Sequence, residues 1–241
     1  MKYAMGKASW CFISNNDVVK CYSARNKKTV KPARGSLYDC WLREIQCLER
    51  LKDRTNFPQL LGKDEQDLSI HINYVGESLF NTWHEHNLEK YIPQVHTIAD
   101  ALEEQKIMYF YPGMDPKSGV KDYTKFPLSN FCIQKNTISL IDFEMAVPIK
   151  SKAQDRLSDR LTYLYEFFDY KNFRTSLVQA LEQPKLCYEQ ELMAKLTDKG
   201  KFPAVKDINP RQQWDTMTMF TEPPEPVIKT WNSIKEKYNI S

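Results

Sequence analysis

The chain has no run of eighteen consecutive apolar residues, the length from which a membrane-spanning helix is read. Its first residues, Met1-Lys2-Tyr3, carry no apolar stretch of the kind that directs export, so a cytoplasmic protein without a membrane span is expected. Neither sign of charge dominates: 34 basic residues stand against 31 acidic ones, a net of +3. No strong field therefore points to nucleic acid or to an anionic membrane surface. The basic stretch from Arg25-Asn26-Lys27-Lys28 to Arg34 is too small for salt-dependent binding along a phosphate backbone, and nucleic acid is not an expected partner. The six cysteines form no CxxC pair and have no histidine at zinc-ligand spacing, which leaves reduced thiols as the expected state. His84-Glu85-His86 is the one local cluster that suggests a metal, but an i, i+2 histidine pair suits a strand and its surroundings read as helical or irregular. Glycine is scarce as well, with seven in 241 residues, which limits how a phosphate-binding loop can be built.

What is present is material for a packed core. Apolar residues make up 41% and charged residues 27%, which excludes long disorder as the main state. A chain of 241 residues fits one large domain or two small lobes sharing a cleft. Trp10 to Ile13, the turn residues Ser14-Asn15-Asn16-Asp17, and Val18-Val19-Lys20-Cys21-Tyr22 describe a hairpin with Lys20 inside its second strand. Leu37, Trp41, Ile45, Leu48 and Leu51 recur at helical spacing. After the breaker Asn56-Phe57-Pro58, residues Leu68 to Tyr74 alternate apolar and polar as a half-buried strand does. Val75-Gly76-Glu77-Ser78-Leu79 reads as a connector. A second helix is expected from Tyr91 to about Tyr109. Asn130 to Ile133 and Ile138 to Ile141 read as a second hairpin with Asp142 at its exit. Leu157 to Phe168 reads as a buried helix, Leu177 to Leu196 as one helix or a pair, and Val227 to Tyr238 as a last amphipathic helix.

Two charged residues intrude on these apolar patterns. Glu44 falls on the apolar stripe of its helix, and Lys20 sits among Val18, Val19 and Tyr22. An unpaired buried charge costs several kcal/mol, so the two either pair with each other or both reach solvent, and spacing alone leaves both options open. Asn130 and Asp142 fall at the same end of two adjacent strands. Hard cations such as Mg²⁺ prefer oxygen ligands of that kind, although both residues are also common in turns.

In order and context these residues resemble the protein-kinase superfamily. Val18-Val19-Lys20 is similar to its strand-lysine motif, Arg43-Glu44-Ile45 to its helix glutamate, Asn73-Tyr74-Val75-Gly76 to its hinge, and Asn56 to Leu61 to the link between them. Asn130 is similar to the metal-binding asparagine, and Asp142-Phe143-Glu144 to the Asp-Phe-Gly motif with glutamate in place of glycine. The likeness covers about residues 3 to 170, and its layout is nearest the small atypical members of the Bud32, Rio and lipopolysaccharide-core type. Gln154 to Leu164 resembles their buried helix, and the dozen or so residues that separate it from Phe143 are too few for a full activation loop.

The resemblance implies an α+β, bilobal, protein-kinase-like fold, with a small antiparallel-sheet lobe over 1–75 and a mainly helical lobe over 76–241. It implies ATP with Mg²⁺ or Mn²⁺ as cofactors, and a small-molecule, sugar or protein acceptor. Lys20 would contact phosphates and Glu44 would orient it. Gly6, Ser9, Tyr74 and Val75 would line the nucleotide, and Asn130 and Asp142 would hold the metal. Two departures stand out. Gly6-Lys7-Ala8-Ser9 has one glycine where the family's phosphate loop is rich in them. The usual catalytic aspartate, five positions before Asn130, is replaced by Lys125. Asp122, or more remotely Asp115, is the candidate base. An active phosphotransferase and a nucleotide-binding pseudokinase are thus both expectations.

Overall fold

Alternation of apolar side chains around two tight turns builds the first sheet. Strands β1 (Lys2–Met5), β2 (Trp10–Ile13), β3 (Asp17–Cys21), β4 (Leu60–Asp64) and β5 (Ser69–Asn73) associate in the order β1-β2-β3-β5-β4, every pair antiparallel. The computed structural model describes residues 2–5, 8–14, 16–22, 35–110, 126–157, 162, 168–197 and 225–238. Between β2 and β3 the Ser14 amide donates to the Asp17 carbonyl at 2.9 Å and the Asp17 amide to the Ser14 hydroxyl at 3.1 Å, which closes the turn. Because side chains alternate across a strand, the sheet has two unlike faces. Val18, Tyr22, Ile70 and Ile72 pack into the main core, while Trp10, Phe12, Val19 and Cys21 form a separate cluster behind it.

Helix α1 (Leu37–Arg50) covers the first of these faces. Ser36 caps it, accepting from the Asp39 amide while Asp39 accepts from the Ser36 amide, so two otherwise orphan donors are satisfied. Its apolar stripe, with Trp41, Ile45 and Leu48, is buried, and the Trp41 indole donates to the Ser69 carbonyl of β5 at 3.0 Å.

Downstream of the sheet the chain mixes helices with short strands. In order these are β6 (Glu77–Ser78), α2 (Leu79–Thr82), α3 (Ile92–Glu104), β7 (Ile107–Met108), β8 (Phe131–Gln134), β9 (Thr137–Leu140), β10 (Val147–Pro148), α4 (Tyr170–Glu182), α5 (Pro184–Thr197) and α6 (Glu225–Tyr238). Strands β6, β8 and β9 form one antiparallel sheet, and β7 pairs with β10 in another. The architecture is α+β with antiparallel sheets. The segment read as a plain connector is therefore partly strand, since Glu77 and Ser78 pair with Ile133 and Cys132. Gly76 makes that approach possible: its φ is +107°, and a Cβ there would lie 2.0 Å from the Ile133 carbonyl oxygen. The helix expected to reach Tyr109 stops at Glu104, where Gln105 and a left-handed Lys106 (φ +52°) turn the chain into β7. Strand β4 and the pairing of β7 with β10 were not foreseen. Most of the helix expected over 157–168 lies outside the described residues.

Two arginines of the α1 region fasten this helix to the downstream half. The buried Arg43 donates through Nε to the Glu144 carbonyl at 2.7 Å. Arg50 donates to the carbonyls of Gln105 at 3.0 Å and Ile149 at 2.6 Å. On the opposite face of the first sheet lies α6, whose Trp231 stacks on Phe12 with ring centroids 4.7 Å apart. Near its end, Lys237 pairs with Asp64, and the Tyr238 ring sits 5.0 Å from that of His71.

Candidate functional site

Lys20 projects from β3 onto the face covered by α1, and there it meets two carboxylates. Its Nζ lies 2.9 and 2.6 Å from the oxygens of Glu44 and 3.2 Å from Asp142 Oδ1. Three charges separated by 24 and 122 positions in sequence thus converge. The Lys20 and Glu44 side chains are 8% and 2% exposed, whereas Asp142 is 39% exposed, so the cluster is dry on the helix side and open to solvent at Asp142. Burial opposes the lysine charge more than any other single influence. Glu44 and Asp142 together outweigh it, and the Lys20 pKa stands above the ordinary lysine value. A second donor reaches Glu44: the hydroxyl of Tyr22, two residues along the strand and hence on the same face, donates to Oε2. Burial first, and then the Glu44 carboxylate, push that phenol well above its usual pKa, so it stays a donor.

The second half of the site is built on β8 and β9. Asn130 ends a short helical turn, Leu128–Asn130, and is 7% exposed. The Ile141 amide donates to the Asn130 carbonyl at 2.9 Å, which sets Asp142 beside it. Asp142 itself adopts φ +69°, a left-handed conformation that aspartate tolerates better than most residues. Next to it, Phe143 is fully buried, with its ring at 5.3 Å and 90° to that of Tyr109.

Ser9, expected beside the nucleotide, is 1% exposed, and its hydroxyl lies 4.0 Å from the Cys11 thiol. Cys11 stands opposite Lys20 in the β2–β3 register, and burial pushes its thiol up to about 11. Tyr74 donates its amide to the Asn16 carbonyl at 2.7 Å, so a ligand edge at this segment would have to use other backbone groups. Val75 follows it, half-buried. Gly6, Asp115, Asp122 and Lys125 lie outside the described residues.

Asn130 and Asp142 suit a hard divalent cation in donor chemistry, one amide oxygen and one carboxylate at a partly solvated position. Among the described residues no group of three or more His, Cys, Asp or Glu side chains could hold a metal, so a cation here would complete its shell with water and phosphate oxygens. That composition is the one Mg²⁺ takes in nucleotide sites.

Sequence reasoning named Tyr22 as an apolar-side neighbour of Lys20 and missed it as a partner of Glu44. Its spacing from Lys20 was the available signal. It also missed Tyr109, whose hydroxyl accepts from Asn130 Nδ2 at 2.8 Å and donates to the Ile141 carbonyl at 2.5 Å. Nothing in the local pattern points to that contact.

No protein-family model matches the chain, and no curated protein is similar to it. Among solved structures, a medium-resolution structure of the bifunctional kinase-methyltransferase WbdD is similar over 80% of this chain and 45% of that one, at 15% identity and a TM-score of 0.42. The 2.2 Å crystal structure of WbdD is similar over 83% and 48%, at 14% identity and a TM-score of 0.45. A co-crystal structure of WbdD with the kinase inhibitor LY294002 is similar over 80% and 49%, at 15% identity and a TM-score of 0.42. The chain thus spans about half the length of these three WbdD structures. Likeness at this level carries no conclusion about activity, which has to be argued from side-chain geometry.

Proposed function

We propose that the chain is an ATP-dependent phosphotransferase of the atypical-kinase type. It would comprise two lobes, 1–75 and 76–241, that enclose a nucleotide and Mg²⁺ or Mn²⁺. The observation that carries this reading is Lys20 held between Glu44 and Asp142. A structural ion pair needs one carboxylate. The second, 39% exposed and 3.2 Å away, supports the reading that the ammonium lies at the edge of a solvated space, where phosphate oxygens would take the place of Asp142. Glu44, fixed by Tyr22 on one side and Lys20 on the other, keeps the ammonium aimed at that space. Asn130 and Asp142 would hold the cation, which neutralises the phosphate charge that builds up during transfer. Ser9 and the backbone around Tyr74 and Val75 would bound the nucleotide. Asp122 is the proposed acceptor of the hydroxyl proton.

The test is a thermal-shift titration with ATP and Mg²⁺ or Mn²⁺, followed by an assay for ADP release. A metal-dependent rise in melting temperature together with ADP release that is lost in Asp142→Ala and Asp122→Ala supports the phosphotransferase. A rise without turnover for any acceptor identifies a nucleotide-binding pseudokinase instead. No shift with any nucleotide contradicts both.

A further inference from the structure

One oxygen atom of Tyr109 touches both the proposed metal ligand Asn130 and the carbonyl of Ile141, the residue before the proposed ligand Asp142, and counting its protons shows what this contact does. A phenol hydroxyl carries one proton and two lone pairs. That proton is committed to the Ile141 carbonyl at 2.5 Å, because a carbonyl has no proton of its own to offer. Towards Asn130 the hydroxyl can therefore only accept, and the atom of Asn130 at 2.8 Å has to be the amide nitrogen. The carboxamide is thus oriented by hydrogen-bond chemistry, with Oδ1 as the end left free for a cation.

We infer that Tyr109 is a positioning residue for metal binding: its hydroxyl fixes the rotamer of the Asn130 amide and tethers the backbone that carries Asp142. The inference rests on the nucleotide and metal reading above. A freely turning amide would present its NH₂ group to the cation about as readily as its oxygen, and an NH₂ group repels a cation. The second bond acts on the other ligand. Ile141 donates its amide to the Asn130 carbonyl and receives Tyr109 on its own carbonyl, so the residue just before the left-handed Asp142 is held from both ends. Tyr109 can do this because its ring is wedged against Phe143, Phe126 and Phe173, with centroids 5.3, 6.0 and 5.7 Å away. Those contacts do not involve the hydroxyl, so orientation and packing can be separated by experiment.

Tyr109→Phe keeps the ring and removes the hydroxyl. The measurement is calorimetric titration of the full chain with ADP, once with a chelator present and once with Mg²⁺. ADP binding without metal should stay within about twofold of the unsubstituted chain, while the gain in affinity on adding Mg²⁺ should fall about tenfold or more, the usual cost of losing a group that orients a metal ligand. Asn130→Asp in the Tyr109→Phe background should restore the metal-dependent gain, since the two oxygens of a carboxylate are equivalent and need no orienting. A full metal-dependent gain in Tyr109→Phe alone overturns the inference. An equal loss of ADP binding with and without metal overturns it too, because that is the mark of a merely structural tyrosine. If the unsubstituted chain binds no ADP under either condition, the nucleotide reading itself fails, and this outcome is distinct from the other two.

Discussion

The two faces of the five-stranded sheet are built from the same strands and carry opposite kinds of interaction. On the α1 side, positions 18, 20 and 22 of β3 and its continuation bring Val18, Lys20 and Tyr22 inward, and two of the three engage the buried Glu44. On the α6 side, Val19 and Cys21 join Trp10, Phe12 and Trp231 in an apolar cluster. Period-two alternation thus divides one strand between a charged site and a hydrophobic seal. A buried charge cluster is weak as a source of stability, because desolvation offsets much of the Coulomb attraction. A stacked indole contributes to stability by the area it buries, and contributes no chemistry. Both faces bury apolar side chains, the α1 face within the main core and the α6 face in the smaller Trp231 cluster, but the buried Lys20 and Glu44 charges lie on the face where α1 is bolted down by Arg43 and Arg50.

Removing Lys20 should produce the largest effect. Lys20→Met leaves the buried Glu44 uncompensated and should cost about 3–5 kcal/mol in chemical denaturation. Lys20→Met/Glu44→Gln, which keeps an acceptor for Tyr22, should recover most of that stability while nucleotide binding stays abolished. A double variant that binds nucleotide normally would break the division between the faces. Trp231→Ala is the mirror experiment. It should cost about 3–5 kcal/mol through the cavity left beside Phe12, with nucleotide affinity within about twofold in whatever fraction remains folded. A selective loss of nucleotide affinity in Trp231→Ala would show that the two faces are coupled.

A smaller effect is expected at the start of α1. Burial pushes the Asp39 pKa up, but hydrogen bonds from Ser36 and Arg156 more than compensate, and the carboxyl is held below the usual aspartate value. A depressed carboxylate stabilises the fold above its unfolded pKa, about 3.9, and that contribution is lost as pH falls through the folded value. Asp39→Asn should therefore lower the melting temperature at pH 6 and leave it nearly unchanged near pH 2. An equal deficit at both pH values would mean that charge is not the cause. Lys20 works in the opposite sense: with a raised pKa, its contribution is complete below the unfolded lysine value, about 10.4, and disappears only as pH rises through the folded one. Lys20 should consequently keep its charge from pH 6 to pH 9, and metal-free nucleotide affinity that depends on it should vary little across that range once the titration of the nucleotide itself is allowed for.

Legibility in the sequence depends on which forces act locally. The β2–β3 hairpin, α1, β5 and the β8–β9 hairpin could be read because burial of one face imposes a period on neighbouring residues. Lys20 and Glu44 were visible as charges inside such periods, although only coordinates could decide that they meet. Strands β7 and β10 could not be read. Each is two residues long, and what makes Ile107–Met108 a strand is its pairing with Val147–Pro148 some forty positions away. The apolar residues from Ile107 to Phe110 equally well continue a helix until Lys106 adopts its left-handed conformation. The Tyr109 hydroxyl and the seat of Trp231 on Phe12 are tertiary contacts of the same kind, written in no local pattern.

The most direct test of the account is a crystal structure of the chain with ADP and Mn²⁺, located by anomalous scattering. The account predicts a phosphate oxygen within hydrogen-bond distance of Lys20 Nζ, the metal on Asn130 Oδ1 and Asp142, the Lys20–Asp142 contact given up, and the Lys20–Glu44 contact kept. Nucleotide bound elsewhere, with Lys20 still joined to both carboxylates, would contradict it.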